Sequence, residues 1–456
     1  MRTVDIDELR AREYPQLDQD GQVYLDYTGA GVYAQAQLRA HHDRLATGAY
    51  GNPHSENPTS TASTELVDSA RRAVLAFLSA SPDEYAVIFT PNATGACRLV
   101  GEAYPFGRGR DLVMTYDNHN SVNGIREHAR RAGARRQYIP ATPPELRVDD
   151  AAVSRALRRR GLFAYPAQSN FTGVQHPLRW VAAAQEAGYD VLLDAAAFLP
   201  TNALDLSAVR PDFVPISWYK VFGYPTGIGC LVARRGALAR LRRPWFAGGT
   251  IAAVSVAGEW HQLLTDESAF EDGTVDFLNI PDVEFGLSWI TSIGIDTIRR
   301  RVRDLTGLLL ERLVETRHTN GRPLVRVYGP TGTRDRGGTV AFNFLTPDGA
   351  VVDERLVARE ASARGLSLRT GCFCNPGAGE GAFDIGPRRL RASRRWSVRT
   401  IDEYLDALGL PTGGAVRVSL GLMSNLPDVE RFLDFATETY RDRHTGNTQL
   451  APRLRC

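Results

Sequence analysis

Lysine is almost missing from this chain of 456 residues: Lys220 is the only one, so the other 53 of its 54 basic side chains are arginine. No run approaches the roughly 18 apolar residues of a membrane-spanning helix. The start, Met1-Arg-Thr-Val-Asp-Ile-Asp-Glu-Leu9, lacks the apolar core of a secretory signal, so no membrane partner is expected and the cytoplasm is the expected location. Five cysteines (Cys97, Cys230, Cys372, Cys374, Cys456) are too few for a disulfide framework at this length, leaving core, reactive or ligand roles. Long single-sign charge blocks are also lacking, and the net charge is +2, so nothing points to nucleic acid or an anionic surface. What remains is a globular chain, 43% hydrophobic, long enough for one large domain and a smaller one.

The lone lysine is the best chemical clue. A surface cation can be either basic residue, but only a primary amine condenses with a carbonyl to form a Schiff base; guanidinium is too delocalised and too basic. A compositional bias towards arginine accounts for the 53 and not for the exception. Lys220 sits in Asp212-Phe-Val-Pro-Ile-Ser-Trp-Tyr-Lys220-Val-Phe-Gly-Tyr-Pro-Thr-Gly-Ile-Gly229, and the rest of the chain is organised around it.

Short apolar runs at Tyr85 to Thr90, Asp111 to Tyr116, Gly161 to Tyr165, Asp190 to Asp194, Asp212 to Ser217 and Ile228 to Ala233 alternate with segments long enough for helices. That rhythm predicts an α/β fold with a mostly parallel sheet between helices. An amphipathic helix is expected over Ser63 to Ala80, and a long one over Val283 to Arg301 with an interruption at Gly294. Beyond it the pattern becomes a smaller α+β domain. Its expected parts are a helix from Val302 to Thr316, strands near Val325 to Tyr328, Thr339 to Phe344 and Ala415 to Leu420, and helices over Asp353 to Arg364, Thr400 to Leu408 and Pro427 to Tyr440. The expected organisation is an N-terminal arm over 1–45 that joins the small domain, a large domain over 46–300, the small domain over 301–445 and a disordered tail over 446–456.

Polar groups follow nearly every strand: Pro91-Asn-Ala-Thr-Gly95, Asp117-Asn-His119, Gln168-Ser-Asn170, Asp194 and Ser217-Trp-Tyr-Lys220. In open α/β sheets ligands bind outside the carboxyl ends of the strands. A Schiff-base lysine, a carboxylate at a strand end and Gly-rich loops suited to phosphate, with no metal motif, together suggest pyridoxal 5'-phosphate. Asp194 is either a helix cap or the carboxylate that keeps the pyridine nitrogen protonated. Ala93, Thr94 and Gly95 open a helix whose free amides and dipole suit the phosphate, though Thr94 is also a good N-cap. His119 is either a polar loop residue or a ring that stacks on the cofactor; Asn170 is placed to reach the ring hydroxyl, and Ser217 and Tyr219 to donate to the phosphate.

The loop Arg369-Thr-Gly-Cys372-Phe-Cys374-Asn-Pro-Gly377 carries a Cys-x-Cys pair without the second half of a zinc site. In an extended segment both thiols would share a side, unless the glycine turns the chain; a loop thiolate near cations would be an activated nucleophile. Cys97 and Cys230 fall in apolar patterns and read as inert. Arg417, inside the strand pattern Ala415-Val-Arg-Val-Ser419, is either paired structurally or offered to a substrate carboxylate.

These residues resemble the class V aminotransferase group of fold-type I pyridoxal phosphate enzymes, and within it the cysteine-desulfurase domain of molybdenum cofactor sulfurases. The similar stretches, spread over about residues 22 to 440, include Tyr50-Gly-Asn-Pro-His-Ser55, Tyr165-Pro-Ala-Gln-Ser-Asn-Phe-Thr-Gly173, Asp205-Leu-Ser207, Asp212 to Gly229, Phe270-Glu-Asp-Gly-Thr274 and Leu368-Arg-Thr-Gly-Cys-Phe-Cys-Asn375. The resemblance implies Lys220 as the lysine bound to cofactor, Asp194 as its ring-nitrogen partner, His119 as the stacking ring, and Thr94, Ser217 and Tyr219 at the phosphate. It also implies Arg417, with Asn170, on the substrate, and Cys374 rather than Cys372 as the nucleophile. It implies a homodimer in which Thr250 reaches the neighbouring site. Two departures stand out: Ala197 closes Asp194-Ala-Ala-Ala197 where many desulfurases carry glutamine, and Gly379 replaces a cysteine common in the sulfurase loop. The chain also stops near residue 456, without the second, cofactor-binding domain of long sulfurases. The expected activity is desulfuration of L-cysteine through an enzyme persulfide, with the sulfur acceptor open. The alternative is a carbon–sulfur lyase, epimerase or aminotransferase of a specialised pathway; a catalytically silent scaffold on the same fold is a third reading, opposed by the retained lysine.

Overall fold

A computed structural model describes residues 4–19, 21–393, 400–410, 412–445 and 450–453. Its centre is a seven-stranded sheet of β1 (Tyr85–Thr90), β2 (Asp111–Thr115), β3 (Arg136–Ile139), β4 (Gly161–Pro166), β5 (Tyr189–Asp194), β6 (Phe213–Ser217) and β7 (Gly229–Arg234). The spatial order is β1-β7-β6-β5-β4-β2-β3. β7 is antiparallel to both of its neighbours and every other pair is parallel, so β1 to β6 all end at one edge.

The sheet follows from the apolar runs. β2, β4 and β6 are buried at every position, as strands covered on both faces must be. Alternate residues serve opposite cores: Val113, Phe163, Tyr165, Val191 and Leu193 one, and Leu112, Met114, Leu162, Ala164 and Leu192 the other. Helices α1 (Pro58–Phe77) and α3 (Pro281–Ile293) cover the first face with Val67, Val74, Val283 and Leu287; α2 (Ala93–Ala103) covers the second with Ala96, Leu99 and Val100. The one strand of this sheet not expected is β3, an edge strand whose Arg-Gln-Tyr-Ile sequence carries only one buried residue.

A hairpin of β8 (Ile251–Ser255) and β9 (Trp260–Leu263) follows the sheet. The second region holds a four-stranded antiparallel sheet of β10 (Val325–Tyr328), β11 (Thr339–Phe344), β12 (Arg369–Gly371) and β13 (Ala415–Ser419), in order β10-β11-β13-β12. The N-terminal segment joins it: Val23–Tyr24 pairs in parallel with Leu366–Ser367, and Asp26 bridges to Ser419.

Two expectations need correction. The interruption expected at Gly294 is there, with Gly294 at φ +88, but the helices expected on either side of residue 301 are one: α4 (Ile295–Glu315) runs unbroken through the point where a new domain was expected to begin. Of the tail expected at 446–456, residues 450–453 are held in place, with Arg453 paired to Glu354 at 2.8 Å, to Asp353 at 3.1 Å and to Asp402. Residues 446–449 and 454–456 lie outside the described residues. Among the described residues no helix is long and apolar enough to cross a membrane, and no His, Cys, Asp and Glu cluster could hold a metal.

Candidate active site

β6 ends at Ser217 and the chain turns at once into the short helix Trp218–Phe222, which buries Trp218, Val221 and Phe222 and leaves Lys220 on its cavity side. The helix stops at Gly223 (φ +83), where any Cβ would strike the Tyr33 backbone. The Gly-rich turn Tyr27 to Gly31 packs on the lysine's own backbone: the Gly31 amide donates to the Tyr219 carbonyl at 2.9 Å, and a Cβ at Gly31 would lie 3.1 Å from the Lys220 carbonyl.

The Lys220 side chain enters a cavity at the carboxyl edge of the sheet. Of the residues predicted for the site, Ala93, Thr94, His119, Asn170, Asp194, Ser217 and Tyr219 line it with Lys220. Five strand ends contribute: these groups stand at the ends of β1, β2, β4 and β5, and β6 brings Ser217 with the lysine.

Lys220 makes no hydrogen bond or ion pair among the described residues. Burial lowers its pKa, opposed by Asp194 and reinforced by Arg417 and Arg369, so a larger share of the amine is neutral and nucleophilic than on a surface lysine. His119 is depressed to about 4 by burial, then by the charges of Lys220 and Arg417 against the opposing Asp194, and is a neutral ring at pH 7. Its Nδ1 accepts from the Ser121 amide at 3.1 Å, which fixes the ring at the start of a helical turn. The buried Asp194 accepts from the Ala196 amide at 3.0 Å through Oδ1, and Oδ2 has no hydrogen bond among the described residues.

At the first turn of α2, Ser217 Oγ accepts from the Ala93 amide at 2.9 Å and Thr94 Oγ1 meets Ser121 Oγ at 2.7 Å. The Thr94 amide has no partner among the described residues, so one helix-start donor and several hydroxyls remain for an anion. Gly95, expected beside them, does not line this cavity: its amide is committed to the N-cap Asn92 at 3.0 Å. Thr250 is not brought here either; it is fully buried and its hydroxyl closes its own turn on the Ala247 carbonyl at 2.8 Å.

Asn170 lines the cavity but is not free to reach a ligand ring. Its Nδ2 donates to the Phe373 carbonyl at 2.8 Å and its Oδ1 accepts from Asn375 Nδ2 at 2.8 Å, so both ends clamp the cysteine loop. Asn375 also donates to the Asp117 carbonyl at 2.7 Å and caps the helix that follows through the Ala378 amide at 3.1 Å. The Asn120 amide donates to the Cys374 carbonyl at 2.7 Å. At Gly377 a Cβ would strike the Tyr116 carbonyl at the end of β2, so the loop lies directly on that strand end. The loop is not extended: Phe373 (φ +54) and Cys374 (φ +52) are both left-handed, and the two cysteine side chains part company, Cys372 buried and Cys374 exposed.

Arg417 is paired within the protein in this structure. Its Nη2 contacts Asp26 at 2.7 Å, its Nη1 donates to the Asn170 carbonyl at 3.0 Å, and the guanidinium lies 4.8 Å from the Phe373 ring centroid. Only Nε is left without a partner. Arg369, opposite Arg417 across the β12–β13 ladder, takes the other oxygen of Asp26 at 2.7 Å and stays half exposed. Sequence reasoning missed Asp26, Arg369 as a cation of the site, and the cavity residues Gln168, Ser121 and Cys97. The Asp of Tyr-Leu-Asp26 at the end of a short strand was visible as a pattern; its two arginine partners were not.

As a donor set, the cavity offers a nucleophilic amine, a carboxylate with one open oxygen, a flat neutral ring and an anion cradle. That set suits a planar, anionic carbonyl ligand with a basic ring nitrogen. The model for aminotransferase class-V matches residues 23–432. Relatives are proteins named molybdenum cofactor sulfurase, from Bos taurus at 37% identity over 98% of this chain and 53% of that protein, and from Solanum lycopersicum at 34% over 98% and 59%. The chain thus spans little more than half the length of these curated relatives. Solved structures of similar fold include the apo cysteine desulfurase of Thermococcus onnurineus NA1 (TM-score 0.80, 24% identity, 96% of this chain and 99% of that one). Another is the cysteine desulfurase CsdA of Escherichia coli (TM-score 0.76, 20% identity, 96% and 100%). With the class-V model covering the sheet, the lysine and the cysteine loop alike, the chain belongs to the aminotransferase class-V family.

Proposed function

We propose that this chain is a pyridoxal 5'-phosphate-dependent cysteine desulfurase that takes sulfur from L-cysteine as a persulfide on Cys374. The observation that carries the reading is one exposed thiol, Cys374, on a loop clamped to Asn170, which lines the Lys220 cavity, and to Asn120, which stands between the lining residues His119 and Ser121. The names of the relatives and of the similar folds support it.

Pyridoxal phosphate, when bound, supplies an electron sink for the carbon that bears the substrate amine. Thr94, Ser217 and Tyr219 would hold its phosphate at the start of α2, Asp194 would keep its ring nitrogen protonated through the open oxygen, and His119 would stack on the ring as a neutral imidazole. Lys220 would hold the group through its amine and, as a free amine, would take the Cα proton of the substrate. Arg417 and Arg369 face the substrate carboxylate, which competes with Asp26 for them. The Cys374 thiolate attacks the substrate sulfur: the sulfur–sulfur bond forms as the Cβ–sulfur bond breaks, and the carbon fragment is protonated and leaves as alanine.

Cys374→Ala is expected to keep the visible absorbance of bound cofactor and to abolish alanine and sulfide formation from cysteine. Mass spectrometry of the wild type after cysteine should place one added sulfur on the Cys374 peptide. Full-rate sulfide release by the variant, or pyruvate and ammonia in place of alanine, would replace the desulfurase with a lyase.

We also infer a homodimer. The β8–β9 hairpin and the loop before it expose Trp245, Phe246, Val254, Val256 and Trp260, an apolar surface that a second copy would cover, with Thr250 beneath it.

A further inference from the structure

Beside the Lys220 cavity lies a second, smaller one of about 80 Å³, between α4, the loop Thr333 to Gly338 and the segment Thr201–Asn202. A single water needs only about 10–15 Å³ of such space, so several waters or one tetrahedral oxyanion fit. Its wall is cationic. Arg336 is 5% exposed and has no carboxylate within ion-pair distance among the described residues. Its guanidinium is held by neutral backbone carbonyls alone: Pro330 at 2.6 Å, Thr172 at 3.1 Å, Gly337 at 3.2 Å, and Thr339.

Arg299 and Arg303 project from α4 into the same cavity. The one acid in the wall, Asp335, is exposed and lies 3.5 Å from Arg334 outside it. Arg303 leans on Asp304 at 3.3 Å, an exposed pair that solvent screens. Three guanidiniums therefore meet one carboxylate, and a buried cation with dipoles but no counter-charge is costly. Burial and the nearby Arg147 push the Arg336 pKa down to about 9, in keeping with an uncompensated cation.

We propose that this cavity is a binding site for a tetrahedral oxyanion, phosphate or sulfate, held by the buried Arg336 together with Arg299 and Arg303. Gln175 also lines the cavity. Gln175 Nε2 donates to Asn202 at 3.1 Å and to Gln168 Oε1 at 3.0 Å, and Gln168 lines the Lys220 cavity, so the two cavities share one polar chain.

The test uses cofactor-loaded protein and inorganic phosphate, against chloride at matched ionic strength, read by calorimetry and thermal unfolding. Arg336 holds two loops together, so the variants are at the exposed positions, Arg299→Ala with Arg303→Ala; Arg158→Ala with Arg431→Ala removes the same charge elsewhere. The expected result is phosphate-specific stabilisation of the wild type and of the control, and at least about tenfold weaker phosphate binding in the cavity variant. No stabilisation beyond chloride, or an equal loss in both double variants, overturns the site.

Discussion

His119 gives the sharpest residue-scale expectation. With a folded pKa near 4 and an ordinary value near 6.5, the unfolded chain binds this proton first as the pH falls. Stability that is fully present above about 6.5 is therefore lost progressively down to about 4, and His119→Phe should flatten that limb in denaturant titrations of the cofactor-free protein. Parallel wild-type and variant profiles would mean that the ring is not held neutral by its surroundings. Asp26 is the second case. Arg369 and Arg417 stand opposite each other on adjacent strands, where like charges repel, and Asp26 is the counter-ion they share. Asp26→Ala leaves the buried Arg417 unpaired and should cost roughly 3 kcal/mol in denaturant unfolding; a loss below about 1 kcal/mol would show that the guanidinium finds another partner. The strand-end residues were legible because each follows an apolar run. Asp26 and Arg369 were not, because their meaning lies in partners hundreds of residues away or in a neighbouring strand.

At the scale of elements, the cysteine loop behaves as a fixed piece of the sheet edge. Asn375 ties it to β2 through the Asp117 carbonyl, to Asn170 after β4, and to its own helix through the Ala378 amide. Asn375→Ala removes all three contacts at once. The expected outcome is faster hydrogen exchange over residues 372–378 and an alanine formation rate at least about tenfold lower, with cofactor absorbance unchanged; unchanged exchange in that segment would deny the clamp. The parallel strands were readable from the chain because burial on both faces leaves uninterrupted apolar runs. β3 was not, because an edge strand with one buried residue carries little signal. The loop's geometry was not readable either. A Cys-x-Cys spacing suggests a shared face, and only two consecutive left-handed residues turn Cys372 inward and Cys374 out.

Across the whole molecule, the exposed hairpin and the lone lysine set what the solution protein does. Val256 is 92% exposed at the tip of the β8–β9 hairpin with Trp260 beside it, a surface a lone chain has no reason to keep dry. Light scattering should give twice the chain mass, and Val256→Glu with Trp260→Glu should return one chain mass; a wild type that is already monomeric at assay concentration removes the dimer. The second, antiparallel sheet was foreseeable from the change of pattern beyond residue 301. The path of α4 through the expected junction was not, since a helix that bridges two regions looks like any other amphipathic stretch. The amine that stands unpartnered inside the cavity makes the chain self-indexing: a probe that acylates side-chain amines has a single address, and occupancy of that address blocks it. Uptake of such a probe by the folded protein counts vacant centres directly, before any turnover is measured.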